Sequence, residues 1–316
     1  MIQFVFALLV IVLLLMAGLV WFTWNTKRGA ELAIPPRGRF IDLPGTRLHY
    51  TDEGSGPAIV MIHGLGGQMG NFTLALAPLL TGTHRVIVID RPGMGYSDRA
   101  ADAPANPRAQ AAVVAEVIAR LGLERPLVVG HSLGGAIALC LAMDHPGLVR
   151  GLALLAPLTQ PTAGPIPAFK GLAVPGRVRR FLVSWLGAIP MAIRTAPQVL
   201  EAVFGPDPIP DDYAVKGGAL LGLRPASFRN TARDYLASGQ DLRWMAGQYD
   251  SLQVPVRILF GAQDRILEAD LHGQALVARH PHIGLEVIAG GHMLPVTRAA
   301  DCARFIHETE AMIAGA

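Results

Sequence analysis

Gly130-His131-Ser132-Leu133-Gly134-Gly135 is the stretch that leaves this chain the fewest options. It follows Pro126-Leu127-Val128-Val129, which reads as a short buried strand, and precedes Ala136-Ile137-Ala138-Leu139-Cys140-Leu141-Ala142, which reads as a helix. A strand that passes into a helix through one sharp turn leaves little room around the residue at the apex. Ser132 then takes a strained backbone conformation, and the residues two positions either side must be small enough to let strand and helix approach. Gly130 and Gly134 meet that demand. The turn lifts the hydroxyl clear of the sheet at the positive end of the helix and leaves the Leu133 N–H free for a developing oxyanion.

Around this turn, strand and helix patterns alternate. Residues 40–43 and 48–52 flank Pro44-Gly45 as a hairpin would, and 58–62, 85–89, 149–155, 256–260 and 285–288 are further strands. Helices are expected over 71–80, 108–121, 269–279 and 299–313. Such alternation implies a mostly parallel sheet with right-handed crossovers. From about 157 to 250 the alternation stops, and prolines, glycines and scattered apolar helical segments replace it. The turn and its setting resemble the serine-hydrolase branch of the α/β-hydrolases, from about Arg39 to the C-terminus and most weakly between Leu158 and Tyr249. That resemblance implies an eight-stranded, mostly parallel sheet flanked by helices. Its core comprises residues 39–156 and 251–316, and 157–250 form an inserted helical lid. Asp90-Arg91-Pro92-Gly93-Met94-Gly95-Tyr96-Ser97-Asp98 is similar to the loop after the corresponding strand in the family and reads as a structural turn.

A serine hydroxyl is a poor nucleophile at its free pKa, so Ser132 needs a base, and the base needs an orienting acid. In the family these follow the serine in the order acid, then histidine, on loops after later strands. Asp264 stands just beyond the strand at 256–260, and His292, in Gly290-Gly291-His292-Met293, just beyond the last strand. The resemblance therefore assigns Ser132, Asp264 and His292 to one catalytic triad on the carboxyl-end rim of the sheet. Asp250 and Asp270 lie farther from the strand end, His272, His280 and His282 precede the last strand, and His131 reads as structural. His63-Gly64-Leu65-Gly66-Gly67 is similar to the family's His-Gly oxyanion loop. It implies the Leu65 N–H as the donor that complements Leu133, with His63 and Gly64 shaping the loop. A serine at 132 separates the chain from the epoxide hydrolases and haloalkane dehalogenases, which carry aspartate there. Neither a metal nor an organic cofactor is implied.

Residues 4–24 carry no charge and are rich in Leu, Val and Phe. As a helix the run spans roughly 31 Å, enough for a bilayer core. No basic residue precedes it and no small-residue cleavage site follows, and Trp21 and Trp24 suit an interface. It therefore reads as a retained single-pass anchor over 1–26, followed by a stiff linker over 27–38 with Pro35-Pro36. Lys27, Arg28, Arg37 and Arg39 follow the span, which predicts a cytoplasmic catalytic domain. A charged fraction of only 16% agrees with a membrane segment or an apolar surface. With a formal charge of +3 and basic residues spread along the chain, no nucleic-acid partner is expected. Cys140 and Cys302 show no metal-ligand spacing.

In the lid, Phe169, Leu172, Phe181, Leu182, Trp185, Leu186, Ile189, Met191 and Ile193 are apolar, and Lys170, Arg177, Arg179, Arg180 and Arg194 stand among them. These residues pack the lid onto the core, line an acyl pocket, or meet an anionic membrane surface. The resemblance implies a serine hydrolase cleaving a small or lipid-derived carboxylic ester, such as a monoacylglycerol, through an acyl-enzyme on Ser132. Carbon–carbon bond hydrolases of aromatic ring cleavage, cofactor-free haloperoxidases, thioesterases and acyltransferases share these motifs. A non-catalytic ligand-binding protein on the same scaffold is the reading from another class, and the presence of every triad member weighs against it.

Overall fold

The computed structural model describes residues 1–162, 164 and 166–315. Eight strands, β1 (Arg39–Leu43), β2 (Thr46–Glu53), β3 (Ala58–Ile62), β4 (Arg85–Ile89), β5 (Leu127–His131), β6 (Gly151–Leu155), β7 (Val256–Gly261) and β8 (Ile283–Ile288), form one sheet in the order 1-2-4-3-5-6-7-8. β1 and β2 form an antiparallel hairpin closed by Leu43 and Thr46, and β2 is antiparallel to β4. Every later pairing is parallel. β5 and β6 are buried along their whole length, as strands covered by helices on both faces must be.

The helices are α1 (Ile2–Ala33), α2 (Gly70–Thr73), α3 (Pro107–Arg120), α4 (Leu133–Asp144), α5 (Arg177–Leu186), α6 (Ala188–Phe204), α7 (Pro225–Ala237), α8 (Leu242–Ala246), α9 (Ala275–Arg279), α10 (Leu294–Thr297) and α11 (Ala299–Ala314). α4 is apolar all round because it lies under the sheet's centre, with Ala136 to Leu141 fully enclosed. Each Ile or Leu so enclosed contributes about 1.5–3 kcal/mol over an exposed one.

Three expectations from the sequence are corrected. The helix at 71–80 is split into α2 and a 3-10 turn at Ala77–Leu79, because Pro78 has no N–H with which to continue it. The helix at 269–279 begins as a π-helical turn, Asp270–Gln274, and only then becomes α9. The turn widens at Gly273, where any Cβ would lie 3.1 Å from Phe260 and Leu285 atoms. The linker expected over 27–38 is helical as far as Ala33, which leaves only 34–38 outside α1. Helix is lost at Ile34, whose place before Pro35 disfavours the helical conformation.

α1 is long and apolar enough to cross a membrane, and its apolar window is wholly unburied. Its C-terminal part is seated on the lid. Thr23 is buried and donates its hydroxyl to the Trp185 carbonyl of α5 at 3.0 Å, Ala30 is buried, and Glu31 lies 3.8 Å from Arg224.

Candidate active site

β5 ends at His131, and α4 begins at Leu133, so Ser132 alone turns the chain. Its φ of 54° and ψ of −119° lie where a residue with a Cβ is strained, and the surroundings hold it there. Its N–H donates to Leu155 O at 3.1 Å, and its carbonyl accepts the Leu158 N–H at 3.0 Å. The glycines are required by contact. A Cβ on Gly130 would fall 2.5 Å from Gly134 O, and one on Gly134 would fall 2.0 Å from Ile62 O.

Asp264 and His292 come from the loops after β7 and β8 and meet with Oδ2 2.7 Å from Nδ1. The Asp264 side chain is 1% exposed and that of His292 5%. Burial pushes the Asp264 carboxyl up, but neighbouring His292 and the Ile266 and Leu267 N–H donors outweigh it and hold the group below the usual carboxylate range. With Nδ1 engaged by the carboxylate, Nε2 is the remaining nitrogen of the His292 ring. The Ser132 hydroxyl makes no hydrogen bond with the described residues. What ties the two segments together is His131, whose Nε2–H donates to His292 O at 2.9 Å while its ring packs, tilted by 46°, 4.9 Å from the His292 ring. Burial and the adjacent His292 push the His131 pKa down to about 3, so it is a neutral brace.

Leu65, Leu133 and Ser132 line one cavity of about 540 Å³. Leu133 opens α4, so its N–H has no intrahelical acceptor. Gly64 lies so close to the Ser132 turn that a Cβ on it would be 2.9 Å from Ser132 Cβ. Apolar Leu158, Ile166, Phe169 and Leu267 make much of the cavity wall, and Arg243 supplies a cation. Of the other candidates, Asp250 pairs with His280 at 2.7 Å with its carboxylate 85% exposed. His272 is buried against Thr159 and stays outside the Asp264–His292 bond.

A family model described as alpha/beta hydrolase fold matches residues 57–196. An alpha/beta hydrolase fold protein from Burkholderia ambifaria superposes with a TM-score of 0.74 at 23% identity, over 85% of this chain and 97% of that one. This chain has the α/β-hydrolase fold. A membrane phospholipase A, described as a bacterial virulence factor, superposes over 100% of both chains with a TM-score of 0.69 at 24% identity. In sequence, the chain is 40% identical over 124 residues to a 2-hydroxymuconate semialdehyde hydrolase of Pseudomonas sp. strain CF600. That match spans 38% of this chain and 44% of the relative.

Two residues that the sequence does not single out as functional contribute to the site. Arg91, in the turn after β4, reaches the loop at 63–67: its Nε donates to His63 O at 2.9 Å and its Nη2 to Gly64 O at 2.8 Å. Its neighbour Asp90 does have the structural role, accepting the Met69 N–H at 2.7 Å and the Tyr96 N–H at 2.9 Å and pairing with His49. The second is Asp207 of the lid, which accepts the Gly291 N–H at 3.0 Å and pairs with Arg298, so that it steadies the loop carrying His292. No motif marks Asp207, and the motif that contains Arg91 does not say what its side chain reaches; both contacts are recognised only by what the fold brings together.

Proposed function

We propose that this chain is a serine hydrolase that cleaves a carboxylic ester, with a lipid-derived acyl ester such as a monoacylglycerol as the substrate class. The observation that carries the reading is the buried Asp264–His292 pair on the rim that also bears the strained Ser132 turn. In this reading the Ser132 hydroxyl attacks the ester carbonyl as His292 Nε2 takes its proton, and the oxyanion accepts the Leu65 and Leu133 N–H groups. Asp264 holds the imidazolium through Nδ1–H. His292 then protonates the leaving alcohol and activates the water that hydrolyses the acyl-enzyme. The apolar part of the cavity wall, Leu158, Ile166, Phe169 and Leu267, suits an acyl chain. Labelling by a fluorophosphonate probe tests the reading. The wild type should react and Ser132→Ala should not; an unreactive, folded wild type would leave a ligand-binding protein on this scaffold.

In the same reading α1 is a single-pass anchor, with the basic residues after it on the cytoplasmic side. Beside the point where α1 leaves the body, Val178, Phe181 and Leu182 of α5 and Met191 and Ile193 of α6 are exposed, with Arg177, Arg179 and Arg194 exposed among them. Such a face suits an anionic lipid surface. Ile189, by contrast, packs inward, and Phe169 serves the cavity. Phe181→Asp with Leu182→Asp should slow hydrolysis of vesicle-borne ester while sparing a soluble short-chain one. Equal loss on both substrates would count against the membrane face. Protease added to intact cells should leave the domain whole; digestion would reverse the orientation.

Arg243 in the cavity wall, together with the likeness to a 2-hydroxymuconate semialdehyde hydrolase, favours a second reading: carbon–carbon hydrolysis of an acidic ring-cleavage product. Rates on p-nitrophenyl esters of rising chain length, beside a monoacylglycerol and a ring-cleavage diacid, separate the two.

A further inference from the structure

The geometry points to Asp234, on lid helix α7, as a positioning residue for the oxyanion donor Leu65 N–H, acting through Arg91. The inference rests on the serine-hydrolase reading for what that N–H does. It rests on side-chain geometry alone for how the N–H is held.

In a trans peptide the carbonyl oxygen and the following N–H point in opposite directions from one rigid plane. The Gly64 carbonyl and the Leu65 N–H share such a plane, so whatever fixes the oxygen aims the N–H. Three donors fix it: Arg91 Nη2 at 2.8 Å, the Nδ1–H of His63 at 2.9 Å and, within the loop itself, the Gly67 N–H at 3.2 Å. His63 is held as that tautomer because its Nε2 accepts the Arg91 N–H at 3.0 Å. Arg91 Nε on His63 O at 2.9 Å secures the preceding peptide as well. A cationic donor on the Gly64 oxygen also polarises the amide and makes the Leu65 N–H a stronger donor to an oxyanion.

A guanidinium this deeply buried needs a counterion, since an unpaired buried charge is strongly destabilising. Arg91 is 1% exposed, and its Nη1 meets Gln110 Oε1 at 2.6 Å and Asp234 Oδ2 at 2.7 Å. Asp90 faces Arg91 from the same loop, but its oxygens hold His49, Met69 and Tyr96. The other Asp234 oxygen is taken by Arg99 Nη1 at 2.6 Å. With Asp234 fully buried and both its oxygens engaged, the carboxylate is locked. Asn230, one turn earlier on α7, donates to Gly93 O at 3.1 Å, and Thr231 lies against Gly66. Helix α7, the loop after β4 and the oxyanion loop therefore form one braced unit, and the lid supplies its charge.

Asp234→Asn keeps the shape and removes the charge. Amide hydrogen exchange across residues 63–67 should quicken about tenfold, with exchange in β5 and β7 unchanged. On p-nitrophenyl butyrate kcat should fall about 10- to 100-fold with KM within about threefold, the pattern of a misplaced transition-state contact. Affinity for an alkyl boronic acid, whose tetrahedral adduct occupies the oxyanion site, should weaken by a similar factor. Because Asp234→Asn strands two buried guanidinium groups, Asp234→Glu is measured alongside; it keeps the charge, displaces it by one methylene, and should give intermediate values. Unchanged exchange at 63–67 in the folded variants overturns the brace. Altered exchange with kcat and boronate affinity within twofold of wild type, or a loss confined to KM, overturns its part in catalysis. If the wild type fails to label with fluorophosphonate, the hydrolase reading falls, and exchange at 63–67 still decides whether Asp234 holds the loop.

Discussion

Lowering the pH from 7 to 5 should weaken the folded state by about 4 kcal/mol through His131 and His272 alone. His131 is 3% exposed and His272 1%. Burial, reinforced by neighbouring His292, pushes the first down to about 3; burial pushes the second down to about 4 against the opposing pull of Asp264. In an unfolded chain both return to about 6.5. Below that value the unfolded state carries protons that the folded state refuses, so stability falls with pH until the folded pKa is reached. At pH 5, about 1.5 units below the unfolded value, each contributes a loss of about 2 kcal/mol at roughly 1.4 kcal/mol per unit. His63 adds to the loss, since burial and the Arg91 cation hold it well below its ordinary value. Asp264 does not offset this. Its depressed pKa contributes stability that is complete above the ordinary carboxylate value and is lost only below about pH 4. Urea unfolding in detergent at pH 7, 6 and 5 measures the slope, and His272→Leu should remove about 2 kcal/mol of it. A midpoint that is level or rises between pH 7 and pH 5 would refute the reasoning.

Asp264→Asn should leave the fold intact and lower kcat about 10³- to 10⁴-fold, because the amide no longer favours the imidazolium; a variant keeping a tenth of wild-type turnover would remove Asp264 from the mechanism. Gly134→Ala should cost about 3 kcal/mol or more in thermal unfolding, since its methyl would sit 2.0 Å from Ile62 O, whereas Gly222→Ala, with nothing within 4 Å, should unfold within about a degree of wild type. Arg243→Gln should reduce kcat/KM at least about tenfold for an acidic substrate and leave a neutral ester within about twofold; equal effects would mean the cation does not meet the substrate.

The sheet was legible where strands are short apolar runs between turn residues. β3 and β4 begin and end at the residues the pattern marks, because β3 is five apolar residues and β4 four apolar residues after Arg85, and those runs must be enclosed. The pairing of Asp264 with His292 was legible from order along the chain, since the fold places successive strand ends on one rim. Helix breaks were harder, because Pro78 and Gly273 act through single missing or crowded atoms within otherwise helical patterns. The bracing of the site was not legible at all. Arg91 and Asp234 are 143 positions apart; the turn motif around Arg91 does not name its partner, and Asp234 lies in a lid whose sequence carries no motif, so nothing local distinguishes Asp234 from a surface charge. Thr23 is a similar case, a hydroxyl at the end of an apolar run that turns out to be a docking point.

The hydroxyl of Thr23 on the Trp185 carbonyl has a mechanical consequence. The N-terminal rod grips the hood over the cavity instead of the sheet beneath it. Were that rod seated in lipid, the hood would keep a set height and tilt, and any hinge between hood and body would swing the body. Access to Ser132 would then be governed by how the bulk of the protein moves beneath a stationary roof.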